Sequence, residues 1–372
     1  MSPINQIPDE YLKLSQPEID SRIISAKNKL GKNLVILGHN YQREEILNHA
    51  DFLGDSYKLC LLAMKQSAKY IVFCGVHFMA ESADILSRKE QIVVLPDLKA
   101  GCSLADMAYD PDVDKAWKEI TSITDEYIPV SYINSTAKIK AFCGKNSGAT
   151  CTSSNAEIIF DNIFSSGKKI IFFPDEHLGR YAAKKLGISD DDIVLWDSKQ
   201  RLGGNSADKI MDAKIILWKG FCYVHQQFKA DDIEAVRKKF SGIKIIVHPE
   251  CTYDVLQQAD LIGSTEFIIQ TVSNAPKGTK WAIGTEIHLV SRLKNMFPDK
   301  LIVSLSENMC LCSTMYRINP AYLLWVLEGL VSGNVINQIK VPDGIAYYAK
   351  IALDRMIEMT GKKRMEKVVE VD

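Results

Sequence analysis

No strand-like run in this 372-residue chain is followed by G-x-G-x-x-G, and no G-x-x-x-x-G-K-[ST] loop is present. The two commonest backbone cradles for nucleotide phosphates are therefore missing; Lys145–Gly148 resembles one only in composition. An excess of one charge is missing too. Lys+Arg number 45 against 46 Asp+Glu, a net charge of -1, which leaves no electrostatic footprint for nucleic acid or an anionic membrane surface. Long apolar runs are also lacking. The longest, Tyr322–Val331, is too short to span a bilayer and carries Glu328. The first residues hold no charged region followed by an apolar one, so a secretory signal is not expected and the cytoplasm is the expected compartment. Local C-x-x-C pairs, the mark of a structural zinc site, are absent. Asp110–Asp114 opens like a calcium loop, but Lys115 replaces the required glycine and Thr121 the closing glutamate, so a solvated acidic turn is expected there.

What is present is an ordinary 47% hydrophobic content, on a chain long enough for two or three domains. Residues 5–30 read as a helical lead-in. The body then alternates strand and helix, which predicts an α/β fold with parallel strands. Three units can be laid side by side. The first has strand signals at Leu34–Leu37, Asp51–Ser56, Tyr70–Phe73 and Ile92–Leu95. The second has them at Ile128–Asn134, Cys151–Ser154, Lys169–Phe173 and Ile215–Trp218. The third has them at Lys244–Val247, Ala259–Thr265, Trp281–Gly284 and Leu301–Ser304. The expected partition is 1–110 (lead-in helix and first lobe), 111–235 (second lobe with an insertion) and 236–372 (third lobe and C-terminal helices).

The polar residues at the strand ends repeat as well. The second piece of each unit ends in a hydroxyl cluster: Gly54-Asp55-Ser56, Thr152-Ser153-Ser154 and Gly263-Ser264-Thr265. The fourth is followed by a cysteine: Cys102, Cys222 and Cys312. Parallel α/β units bind ligands at the C-terminal ends of their strands, so these positions, with His39, Asn40, Tyr41, Tyr132, Asn134, His225, His248 and Glu250, form the candidate site. Hydroxyls, imidazoles and a carboxylate suit a small polyanion handled by proton transfers.

The nine cysteines are scattered, and in a reducing compartment such thiols are buried, catalytic or metal-bound. Three widely spaced thiolates fit an iron–sulfur cluster with one iron left without a protein ligand, open to act as a Lewis acid. Cys310, two residues before Cys312, and Cys251, after His248-Pro249-Glu250, compete for the third position; the polar turn Cys312-Ser313-Thr314 favours Cys312. His77, His177 and His288 also lie near strand ends, but show no repeated partner and read as structural.

These segments resemble the quinolinate synthase family. The resemblance is carried by Gly38–Gln42, Gly54–Ser56, Leu95–Met107, Tyr132–Asn134, Cys151–Ala156, Phe173–Gly179, Gly220–His225, Val247–Cys251, Gly263–Thr265, Gly284–Glu286 and Cys312–Met315, in the family's order. It implies three homologous αβα three-layer lobes with short parallel sheets around a pseudo-threefold axis, and a 4Fe-4S cluster on Cys102, Cys222 and Cys312 at the centre. It implies condensation of iminosuccinate with dihydroxyacetone phosphate to quinolinate, phosphate and two waters, in de novo NAD biosynthesis. Glu250, Tyr41 and His225 match catalytic positions. His39, Ser56, Tyr132, Asn134, Ser154, His248, Glu250, Ser264 and Thr265 match substrate-binding ones. The implied partners are the two small substrates and an aspartate-oxidising enzyme supplying iminosuccinate, with no nucleic acid or membrane and a homodimer left open. Two departures stand out. Ser313 occupies the place where many relatives have proline. The cysteine spacings also differ, 222 − 102 = 120 against 312 − 222 = 90, so part of 140–150 or 185–210, where Leu202–Ser206 is turn-like, is expected to be an added loop. The other readings are an iron–sulfur hydro-lyase of the aconitase kind, which needs no phosphate site, and an electron-transfer cluster protein, which would favour four cysteines.

Overall fold

A computed structural model describes residues 6–308 and 310–369, with side chains to residue 361. It is α/β, with three short sheets. The first is built from β1 (Leu34–His39), β2 (Phe52–Gly54), β3 (Tyr70–Cys74) and β4 (Ile92–Val94). The second holds β5 (Tyr127–Tyr132), β6 (Ala149–Cys151), β7 (Lys169–Phe173), β8 (Ile193–Trp196) and β9 (Ile215–Trp218). The third holds β10 (Lys244–Val247), β11 (Leu261–Ile262), β12 (Lys280–Gly284) and β13 (Leu301–Ser304). A late strand, β14 (Gln338–Ile339), pairs antiparallel with β4; every other pairing is parallel.

The sheet orders are β14-β4-β3-β1-β2, β6-β5-β7-β9-β8 and β11-β10-β12-β13. Numbering the core strands within each sheet by their order in the chain, all three run second-first-third-fourth. β8 and β14 are additions beside the fourth strand. Their core strands are near-continuous apolar runs, as parallel strands covered on both faces must be.

The chain gathers into two compact units. One comprises Met1–Cys102, Glu286–Pro298 and Met309–Val341; the other comprises Ser103–Thr285, Asp299–Asn308 and Pro342–Asp372. The first unit carries the first sheet and the lead-in, which is two helices, Asp9–Leu12 and Gln16–Leu30. The second carries the other two sheets. Around its five-stranded sheet Phe173, Trp196 and Trp218 pack with Ile171 and Tyr127, and the Trp218 indole donates to the Met107 carbonyl at 2.8 Å. No helix among the described residues is long and apolar enough to cross a membrane.

Two local expectations change, and the alternative at 185–210 stands. Residues 140–150 are no added loop: they hold the end of the helix Ala137–Lys145 and β6. The extra length lies in 185–210, which supplies β8 and a turn where Leu202 and Gly203 take φ of 52° and 62°. The calcium-like segment begins the helix Asp110–Thr121. Its Pro111 suits the first turn and its acids face the positive end of the helix dipole.

Gly144 shows how tightly the second unit closes. The C-terminal helix, which starts at Asp343, lies so near that a Cβ at Gly144 would sit 1.9 Å from the Tyr348 carbonyl oxygen. Arg355 secures the same contact by donating to the Gly148 carbonyl at 2.8 Å. Gly144→Ala must push this helix away. It is expected to lower unfolding stability by about 1–3 kcal/mol, read as a shift of the urea midpoint; an unchanged midpoint would refute the packing argument.

Candidate active site and metal centre

The third sheet delivers the acid of the site. β10 ends at Val247, and His248, Pro249 and Glu250 follow directly; the His248 amide donates to the Gly284 carbonyl at 3.1 Å, continuing the sheet by one rung. Glu250 and His248 are buried, as is His225 from the turn after β9. His225 Nδ1 lies 2.8 Å from Glu250 Oε2, and the His225 and His248 rings stack with centroids 4.6 Å apart. From the second sheet, Asn134 Nδ2 donates to Glu250 Oε1 at 3.1 Å, and Tyr132 also hydrogen-bonds the carboxylate. Thr285 holds the far side of His225, with its hydroxyl 3.1 Å from Nε2.

Burial alone would push the Glu250 carboxyl up. His248 and His225, with the hydrogen bonds from His225 and Tyr132, outweigh it and hold Glu250 at about 2. Burial works unopposed by enough charge at His248, which falls to about 3. Asp175, fully buried at the start of the helix Glu176–Lys185, is raised well above the carboxylate range by burial and by the neighbouring Glu250 charge. The two carboxyls are thus pushed in opposite directions, Glu250 down and Asp175 up, the kind of split that separates proton acceptors from proton donors.

A Cys222 sulfur, a His225 nitrogen and a Glu250 oxygen lie within 4.8 Å of one another, a cation-binding geometry. Of the nine cysteines, six are buried; Cys102, Cys222 and Cys312 are the three that retain exposure. Burial pushes Cys74 and Cys143 up to about 12, as befits inert core thiols. The three half-buried ones share a register. Each precedes the first residue of a long helix by the same distance: 110 − 102, 230 − 222 and 320 − 312 all equal 8. Each loop is also tied at the same point. The amide of His77 donates to the Ala100 carbonyl at 2.8 Å, that of Glu176 to Gly220 at 2.9 Å, and that of Ile287 to Cys310 at 3.1 Å. The accepting residue stands two before the cysteine in every case. Cys310 therefore corresponds to Ala100 and Gly220, and Cys312 to Cys102 and Cys222.

The hydroxyl clusters open ten-residue helices, Ser56–Lys65, Ala156–Ser165 and Thr265–Asn274. Asp55 accepts from the Lys58 amide at 2.8 Å, Asn155 accepts from the Thr152 amide at 2.6 Å, and Ser264 caps the third helix through the Phe267 amide at 3.3 Å. Ser56, Ser154 and Thr265 thus sit at helix N-termini, where free N–H groups favour anions. In the first unit His39 ends β1, and its ring meets Tyr41 edge-on at 5.0 Å.

Sequence reasoning missed Thr285, Asp175 and Glu286. Glu286, fully buried in the first unit, accepts from the His288 amide at 2.8 Å and the Cys312 amide at 3.4 Å. Sequence reasoning also gave three histidines no repeated partner, and the structure supplies one. His77, His177 and His288 occur in the first turn of the helix after the third strand of each sheet, each near a carboxylate: Glu81 at 3.7 Å, Glu176 at 3.7 Å and Glu286 at 2.9 Å. Their repetition, visible only once the helices are aligned, was the available signal.

His177 gives a pH dependence. Burial, reinforced by Arg180, lowers it to about 4 from an ordinary 6.5. The folded chain keeps it neutral where the unfolded chain takes a proton, so its contribution is intact above 6.5 and is lost as the pH falls from 6.5 towards 4. The loss is on the order of 3 kcal/mol. In His177→Gln the fall in unfolding free energy across that window should shrink by this amount; an identical fall in both proteins would refute the assignment.

The chain matches the family model described as quinolinate synthetase A protein over residues 21–358. It is 52% identical over 358 residues to the quinolinate synthase of Acidobacterium capsulatum, covering 95% of this chain and 96% of that one. To the quinolinate synthase of Corynebacterium glutamicum it is 49% identical over 356 residues, covering 95% and 90%. The quinolinate synthase of Geobacillus kaustophilus is 49% identical over 360 residues, covering 96% and 97%. With a family match across nearly its whole length and half its residues shared with relatives of the same size, the chain belongs to the quinolinate synthetase A protein family and is an enzyme.

Proposed function

We propose that the chain is a quinolinate synthase of NAD biosynthesis. It condenses iminosuccinate with dihydroxyacetone phosphate to give quinolinate, phosphate and two waters. The observation that carries this reading is Glu250, an ionised carboxylate buried among His225, His248, Tyr132 and Asn134 with Cys222 in reach. A condensation that removes protons next to carbonyl and imine carbons and expels water needs such a base.

The residues fit the family's 4Fe-4S cluster. Three thiols in one structural register, half-buried where the other six are buried, make a donor set of Cys102, Cys222 and Cys312. When bound, the cluster supplies Lewis acidity at an iron that lacks a protein ligand. The shared strand order and the eight-residue offset support three homologous lobes, 1–110, 111–235 and 236–372; the pseudo-threefold axis is what the family resemblance implies.

In this reading Glu250 accepts the substrate proton during enolisation. Asn134 and Tyr132 fix its orientation, and His225, held by Thr285, passes the proton onward. Tyr41 serves as the second proton carrier. His39, Ser56, Ser154, His248, Ser264 and Thr265 hold the carboxylates and phosphate, so no basic surface is needed. An aspartate-oxidising enzyme supplies iminosuccinate, and the cytoplasm is the compartment that keeps the thiols reduced.

The test is an anaerobic preparation with iron and sulfide counted, then incubation with both substrates and detection of quinolinate. A protein that holds its cluster yet makes no quinolinate would sink the proposal.

A further inference from the structure

A second cavity, of about 430 Å³, lies within the first unit between the loop after β1 and the helix Ile287–Met296. That helix contributes His288, Ser291 and Arg292, whose spacing puts them on one face. Arg43 and Tyr316 form another wall. The Arg43 guanidinium lies 3.6 Å from the Tyr316 ring centroid and donates to the Tyr316 carbonyl, and the His288 ring lies parallel to Tyr316 at 5.6 Å. Arg292 is fixed by donating to Asn40 Oδ1 at 3.0 Å. His288 Nδ1 is engaged by Glu286 at 2.9 Å, which leaves Nε2 as the ring's other hydrogen-bonding atom. Arg43 Nε is buried without a hydrogen-bond partner among the described residues.

The geometry points to a binding site for a phosphate monoester of a small hydroxylated molecule, lined by residues none of which is assigned above to the substrates. Two guanidiniums and an imidazole, already held in place, give enough converging donors and positive charge for a phosphate dianion. The cavity has more room than a bare phosphate fills, and pockets of this size hold small metabolites. The rim bears the exposed carboxylates Glu44 and Glu45, which accept from hydroxyl groups and repel a polyanion such as nucleic acid. Occupancy would be felt beyond the cavity. Arg292 holds Asn40, next to His39 and Tyr41, and His288 shares Glu286 with the Cys312 amide. A ligand here therefore acts as a regulator of the reaction. That consequence rests on the proposed function, whereas the binding does not.

Calorimetry on the full chain separates the two. Ribose 5-phosphate is the probe, with ribose and inorganic phosphate as controls. Ribose 5-phosphate should bind one saturable site with Kd of about 1 mM or tighter, phosphate should bind at least about tenfold more weakly, and ribose should give no heat. Arg43→Gln, and independently Ser291→Asp, which leaves the arginine–tyrosine stack intact, should each weaken binding by about tenfold or more. Thr265→Val should leave it unchanged. The proposal is overturned by no saturable binding at millimolar probe, by phosphate binding as tightly as its ester, or by binding that Thr265→Val abolishes and the two cavity variants do not. Loss of quinolinate synthesis alone, with binding intact, would count against the proposed function and not against this site.

Discussion

Glu250→Gln should lower kcat for quinolinate formation by about a thousandfold, the middle of the range for a lost general base, while the chain stays folded and keeps its iron. Glutamine preserves the shape and still offers an oxygen to Asn134 Nδ2, which now reaches Glu250 Oε1 at 3.1 Å. What disappears is the charge, and with it the ability to accept a proton. Removing a buried carboxylate usually strands its cationic partners. Here His248, already lowered to about 3 by burial, loses only the neighbour that was raising it, and so stays neutral. No charge is stranded at His248, and the cost to stability should be about that of a hydrogen bond or two, roughly 1–3 kcal/mol. The decisive measurement is kcat together with the thermal midpoint and iron content. A variant within about tenfold of the parent rate would show that Glu250 only organises the pocket.

Serine at Cys102, Cys222 or Cys312 should abolish cluster retention, whereas serine at Cys310 should leave it. Anaerobic iron and sulfide analysis reads the difference directly, and activity should follow the iron. Cys310 is fully buried and lends its carbonyl to the Ile287 amide, a role a serine backbone fills as well. Its side chain points into a packed interior, so the expected effect of Cys310→Ser is a modest loss of stability, about 1 kcal/mol. Cluster loss in Cys310→Ser with retention in Cys312→Ser would reverse the assignment and break the register on which it rests.

Much of this was legible in the sequence because the repeat was written twice. Apolar runs marked the strands, and polar residues at matching strand ends marked their order; a hydroxyl cluster after one strand and a cysteine after another fixed which was which. The strands that escaped lie outside that repeat. β8, with Ile193–Trp196, is as apolar as its neighbours, but it falls in the chain between the third and fourth strands of its unit, where the other units have no strand. β14 is two residues long, and its antiparallel pairing with β4 joins segments far apart in the chain, which no local pattern can reveal. In the site, the residues that face the carboxylate were readable from their types. Those that hold other residues were not: Thr285 acts on His225 and Glu286 on Cys312, and each became visible only through a hydrogen bond.

The three backbone ties to the cysteine loops restrict the sequence at positions where proteins are usually tolerant. Each donor, His77, Glu176 and Ile287, is the first residue of its helix. That position normally welcomes proline, because its amide has no partner within the helix. Here the amide is spoken for, since it moors the thiol-bearing loop. Proline does occur in the opening turn of Asp110–Thr121 and of Pro320–Val331, helices that follow the cysteines. At 77, 176 or 287 it would cut the mooring while leaving every side chain around Glu250 intact, so these three half-buried helix-opening positions should be as closed to proline as the middle of a helix.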